Sequence, residues 1–172
     1  YELCKREGRG LNCRFLAQVL SEMYLAMGFP SRFVTCQSKA YDTDTDCHVI
    51  NMVWSRQLGK WIWMDASFAA YVTDENGLLL HPGEVRERLI KGLPLVLNED
   101  ANWNHKTKQT KEGYLENYMA KNLYMLDAHL ESRFETEPAD GSGSPRMYLV
   151  PEGFWPLSGH TTYDDRYFWQ AP

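Results

Sequence analysis

The stretch LNCRFLAQVLSEMYLAMGFP is punctuated at both ends, and this leaves it few choices other than a helix. Asn12 is a good N-cap, Gly28 suits the left-handed position just past a helix, and Pro30 stops continuation. The spacing predicts a helix from about Cys13 to Met27, with Leu16, Val19, Leu20, Met23 and Met27 as the stripe that faces the core. Cys13 then occupies the first turn, where unpaired backbone N–H groups carry partial positive charge. That field favours the thiolate, the form of cysteine that attacks carbonyl carbon.

Three strands are expected next. SRFVTCQ, HVINMVW and WIWMD are rich in the branched and aromatic residues that suit a pleated surface, and SRQLGK joins the last two as an antiparallel hairpin. A register in which paired numbers sum to 113 sets His48 opposite Asp65, Ile50 opposite Trp63 and Met52 opposite Trp61. His48 and Asp65 then have β-carbons roughly 5 Å apart, so the carboxylate can accept one imidazole N–H and leave the other nitrogen free. With Cys13 against the helix-facing side of this hairpin, nucleophile, base and orienting group are together. Cys4, Cys36 and Cys47 read as packing residues, as do the aromatics Tyr41, Trp54, Trp61 and Trp63.

NC at the start of an amphipathic helix, GFPSRFV after it, then CHVINMVW and KWIWMDASF resemble the transglutaminase-like core of papain-like thiol enzymes, bacterial type, over about residues 8 to 68. The resemblance implies an α+β papain-like fold and a triad of Cys13, His48 and Asp65, with Arg32 in a structural role. It implies neither cofactor nor metal. An independent test agrees for DTDTD: with Asp42 as the first position of a calcium loop, Cys47 stands where the turn glycine belongs and Val53 where the bidentate Glu belongs. His81, His105, His129 and His160 show no metal-ligand spacing and read as surface or capping residues.

Further along, TDENG marks a reversal, and PGEVRERLIKG a short helix with Pro near its start and Gly at its end. The stretch from about 93 to 111 is weakly patterned. A short helix is expected from Gly113, carrying Tyr114, Leu115, Tyr118 and Met119, followed by one long strand through Tyr124, Leu126, Ala128, Leu130 and Phe134. EPADGSGSPR is a loop and MYLVP a strand. The organisation expected is a catalytic core over residues 1–100 and a β-rich extension over 101–172. The extension resembles one found in some bacterial transglutaminase-like proteins and supplies no catalytic residue.

Composition narrows the function classes. The chain has 172 residues, 44% of them hydrophobic and 13% aromatic, enough to build one packed core. Its formal charge of −5 offers no basic field for phosphate backbones, so nucleic acid is not an expected partner. No apolar run approaches the roughly 20 residues that cross a bilayer, and no leader opens the sequence. The polar start reads as a trimmed or mature piece of something longer, with the compartment open. The expected substrate is a peptide or protein amide, attacked by Cys13 through a thioester and released by water. Transamidation, a glycan-linked amidase, and a silent interaction module with a relic triad are the rivals.

Overall fold

The computed structural model of the chain describes residues 2–138, 140–154 and 160–172. Two helices come first, α1 (Glu2–Glu7) and α2 (Cys13–Ala26), then strands β1 (Ser31–Gln37), β2 (Cys47–Ser55), β3 (Lys60–Met64) and β4 (Val72–Thr73). Helix α3 (Pro82–Lys91) precedes the short strands β5 (Val96–Leu97), β6 (Asn102–Trp103) and β7 (Thr107–Lys108), which lie within the weakly patterned stretch. A π-helix, Glu112–Met119, runs into α4 (Ala120–Asn122). Strands β8 (Met125–His129), β9 (Arg146–Leu149) and β10 (His160–Thr162) and helix α5 (Asp165–Phe168) complete the chain. Residues 139 and 155–159 of the expected extension lie outside the described residues.

The largest sheet has six strands in the order β10-β9-β8-β1-β2-β3, antiparallel except for the parallel pair β9–β10. This is a mixed α and β architecture compatible with the expected α+β class. Strands from the C-terminal third therefore continue the sheet begun by β1 to β3. One face, with Phe33 and Val49, meets Ala17 of α2. The other face presents Val34, Cys36, Ile50, Met52, Trp61, Trp63 and Leu126 to a larger core closed by Val72, Val85, Tyr114, Leu115, Met119 and Phe168.

Local signals set the ends of the helices. Asn12 accepts the Phe15 N–H at 3.0 Å, and Gly28, at φ +80°, takes the left-handed turn after α2. At α3, His81 accepts the Gly83 and Glu84 N–H groups while the Glu84 carboxylate accepts the His81 N–H, and Gly92 closes the helix at φ +63°.

Four expectations need correction. The β2–β3 hairpin pairs Met52 with Trp63 and Trp54 with Trp61, so paired numbers sum to 115 rather than 113. The lower sum would close on Arg56 and Gln57 alone, a two-residue turn that calls for positive φ. The chain instead uses Arg56 to Gly59, with Gly59 at φ +62° and its N–H on the Ser55 carbonyl at 2.8 Å. Secondly, Met23 and Met27 are 57% and 61% exposed, whereas the buried residues of α2 are Ala17 and Ser21. The sheet approaches so closely that Asn51 Nδ2 donates to the Ala17 carbonyl at 2.7 Å, and only small residues fit beneath it. Thirdly, β8 stops at His129 rather than reaching Phe134. Fourthly, His129 is buried, with Nδ1 3.1 Å from the Ser144 carbonyl and Nε2 3.3 Å from Glu137.

This packing gives a stability prediction. Met23→Lys should change unfolding free energy by no more than about 0.5 kcal/mol, while Ala17→Leu should cost roughly 1–3 kcal/mol by overpacking. Urea denaturation of the two variants measures both.

Candidate active site

The first turn of α2 is tied to the sheet by the residue after the cysteine. Arg14 donates to Glu137 Oε1 at 2.8 Å and to Thr35 Oγ1 at 3.2 Å, and Arg146 donates to the same Thr35 oxygen at 2.7 Å. Arg146 also holds buried Asp127, whose second oxygen accepts Gln37 Nε2 at 2.9 Å. The half-buried Cys13 side chain is thereby fixed beside the end of β2. Its thiol sits in hydrogen-bonding contact with His48 and with the backbone of Val49 and Arg14.

His48 occupies the face of β2 turned away from α2, not the helix-facing side the sequence suggested, because residues facing α2 are the odd-numbered Val49 and Asn51. It reaches Cys13 at the end of the strand. The two-residue shift in register keeps Asp65 on the same face as His48, so the pair meets diagonally instead of directly across. His48 Nε2 lies 2.6 Å from Asp65 Oδ2, with both side chains almost wholly shielded from solvent. Since Asp65 occupies Nε2, Nδ1 is the nitrogen left for the thiol.

Asp65 is saturated with donors. Its Oδ1 accepts the Ser67 N–H at 2.8 Å and the Phe68 N–H at 3.1 Å, a turn that the DASF sequence makes on its own. Its Oδ2 accepts the Tyr114 hydroxyl at 2.6 Å as well as His48. The Tyr114 oxygen in turn takes Trp63 Nε1–H at 3.3 Å. Aromatic rings enclose the imidazole: Phe68 at 5.3 Å and Tyr118 at 5.5 Å between centroids, both edge to face. Tyr114 and Tyr118 come from the π-helix, a rare geometry that recurs at functional sites. Sequence reasoning placed both in a helix but gave neither a part in the site.

Electrostatics follow from this geometry. Burial alone pushes His48 down, but the charge and hydrogen bond of Asp65, with Cys13 behind them, raise it to about 10. Burial likewise pushes Cys13 up, yet the His48 hydrogen bond and charge and the two backbone contacts leave it below the usual thiol value. Over the interval between, the thiolate–imidazolium pair is the favoured state. Cys36 is raised well above the ordinary thiol by burial and by Asp65, and Cys47 is raised by burial and by Cys13. All four cysteines are free thiols.

The remaining sequence candidates take structural places. Arg32 is buried, donating to the Phe168 and His129 carbonyls and stacking 4.5 Å from the Trp61 ring centre. The acidic loop before β2 is bridged, with Lys121 Nζ 2.6 Å from Asp46 and 3.1 Å from Asp44. Among the described residues no group of three His, Cys, Asp or Glu gathers as metal ligands, and no helix is long and apolar enough to cross a membrane.

Residues 1–66 match the family model described as the transglutaminase-like superfamily. This segment of the chain is transglutaminase-like, within a superfamily typically made up of cysteine enzymes. The matched span takes in Cys13, His48 and Asp65 and leaves out Phe68, Tyr114 and Tyr118. No curated protein and no solved structure gives a significant match.

Proposed function

We propose that the protein is a papain-like thiol hydrolase of peptide or protein amide bonds. The observation that carries this reading is the continuous contact from the Cys13 thiol through His48 to Asp65, with a 2.6 Å bond at its inner end. Cys13 thiolate attacks the amide carbon. The developing oxyanion meets the Cys13 N–H, which lies in the first turn of α2 and has no acceptor within the helix. His48 gives its proton to the leaving amine, and a thioester remains on Cys13. Water, deprotonated by His48, releases the acid. Asp65 holds the imidazole in one orientation throughout. Residues 1–100 supply these three side chains, and residues 101–172 form an extension packed on them.

Water is favoured over an amine as the second substrate because of the acidic loop beside His48. An amine nucleophile must arrive neutral. Lys121 shows what this loop does to an amine: hydrogen bonds to Asp46 and Asp44 raise its ammonium above the ordinary lysine value. An ammonium held there stays protonated and unreactive.

The test supplies a mixture of peptides in ¹⁸O-labelled water with an excess of a labelled primary amine. Mass spectrometry is expected to find ¹⁸O in the new carboxylates and little amine. Amine label in most of the acyl product would establish a transferase instead.

A further inference from the structure

The carboxylate oxygen that holds His48 is shared. Asp65 Oδ2 accepts His48 Nε2 and the Tyr114 hydroxyl, each at 2.6 Å, and Tyr114 is completely buried. A buried phenol costs free energy unless its hydroxyl is bonded, and this one is bonded twice, donating to Asp65 and accepting from Trp63. The π-helix then stacks two rings on the site four residues apart. Tyr114 lies 4.6 Å from the Phe68 ring centre, and Tyr118 lies 5.7 Å from Phe68 and 5.5 Å from His48. Phe68, Tyr114 and Tyr118 all lie outside the matched residues 1–66.

We infer that Tyr114 is a positioning residue for His48, acting through Asp65, so that the segment after residue 100 is part of the catalytic unit. This rests on the thiol-enzyme reading above. The hydroxyl draws charge from the same oxygen that stabilises the imidazolium. It therefore sets how firmly His48 keeps the proton that must pass to the leaving amine. With the hydroxyl removed, Oδ2 concentrates its charge on His48, the proton is held more tightly, and the thiolate–imidazolium pair persists to lower pH. A stronger donor at the same position has the opposite effect. The other groups around the pair are Cys36, Cys47, Asp46, Asp127, Arg14 and Tyr118, and all of them are common to the wild type and the Tyr114 variants.

The experiment measures iodoacetamide labelling of Cys13 against pH in the full chain, by peptide mapping, for the wild type, Tyr114→Phe and Tyr114→3-fluorotyrosine. The half-point of labelling is expected to move down by about half a pH unit or more in Tyr114→Phe and up in the fluorinated variant, whose phenol is more acidic. On any amide the wild type turns over, kcat should fall about tenfold in Tyr114→Phe with KM within about twofold, as for an interaction made in the transition state. Both variants keep the ring, and a merely structural role does not produce shifts of opposite sign. Wild-type Cys13 labelling fastest, with coincident profiles in all three proteins, would overturn the role of Tyr114 and leave the thiol-enzyme reading standing. If another cysteine labels faster in the wild type, both fail.

Discussion

Cys13→Ala should abolish amide turnover, with a loss of about three orders of magnitude or more, while leaving the protein folded. The side chain removed is small and half-buried, so little packing goes with it. In the wild type Cys13 should be the first thiol alkylated, since its value is lowered while those of Cys36 and Cys47 are raised. The pH profile of turnover has a definite sign on each limb. Activity rises with pH as Cys13 ionises, at a point below the ordinary thiol value near 9, and falls as pH approaches about 10, where His48 loses the proton it must donate. Timed labelling with peptide mapping, and kcat across this range, check the expectation. Faster labelling of Cys4, Cys36 or Cys47 would remove Cys13 as nucleophile.

Asp65→Ala carries the second large effect, on stability as well as rate. The substitution leaves His48 buried without a counter-charge and strips an acceptor from the Tyr114 hydroxyl and from the Ser67 and Phe68 N–H groups. Breaking a buried pair in this way costs about 3–5 kcal/mol. Asp65→Asn keeps the shape and should cost less, but its amide can stabilise the wrong imidazole tautomer and slow turnover by orders of magnitude. Linkage gives a separate signature. Because His48 is raised to about 10 in the folded protein, its contribution to stability is fully present below about 6.5, the unfolded value, and is lost as pH rises through about 10. The thiolate of Cys13, being lowered, contributes in the opposite sense. The cleanest measurement is therefore urea unfolding in a Cys13→Ala background. Stability should decline between pH 6.5 and 10.5 with Asp65 present and lose that decline in Asp65→Ala. An equal decline in both would show that the Asp65 carboxylate is not what holds the His48 proton.

Much of the core segment was readable because its determinants are local. Asn12, Gly28 and Gly92 act on backbone within a few residues, so the bounds of α2 and α3 followed from side-chain chemistry alone. The branched and aromatic runs of β1, β2 and β3 did the same for the strands. His48 and Asp65 could be placed on one face because a register error of two residues preserves the face, although the partner opposite Asp65 changed. That change was decided by a four-residue turn whose left-handed Gly59 carries the information, but whose length the pattern of strand residues left open.

Other features depend on what the chain meets in space. The apolar period of α2 marks a stripe through Met23 and Met27, yet the sheet buries Ala17 and Ser21, since a close backbone approach selects small side chains over large ones. Tyr114 stands 49 residues from Asp65, and no periodicity connects a tyrosine in one helix to a carboxylate at the end of a distant strand. The sequence by itself determined the elements around Cys13, His48 and Asp65, through caps, turns and strand alternation. Only the tertiary structure decided the buried face of α2 and the phenol that completes the Asp65 hydrogen bonds, because both are settled by contacts between segments whose own conformations are already satisfied.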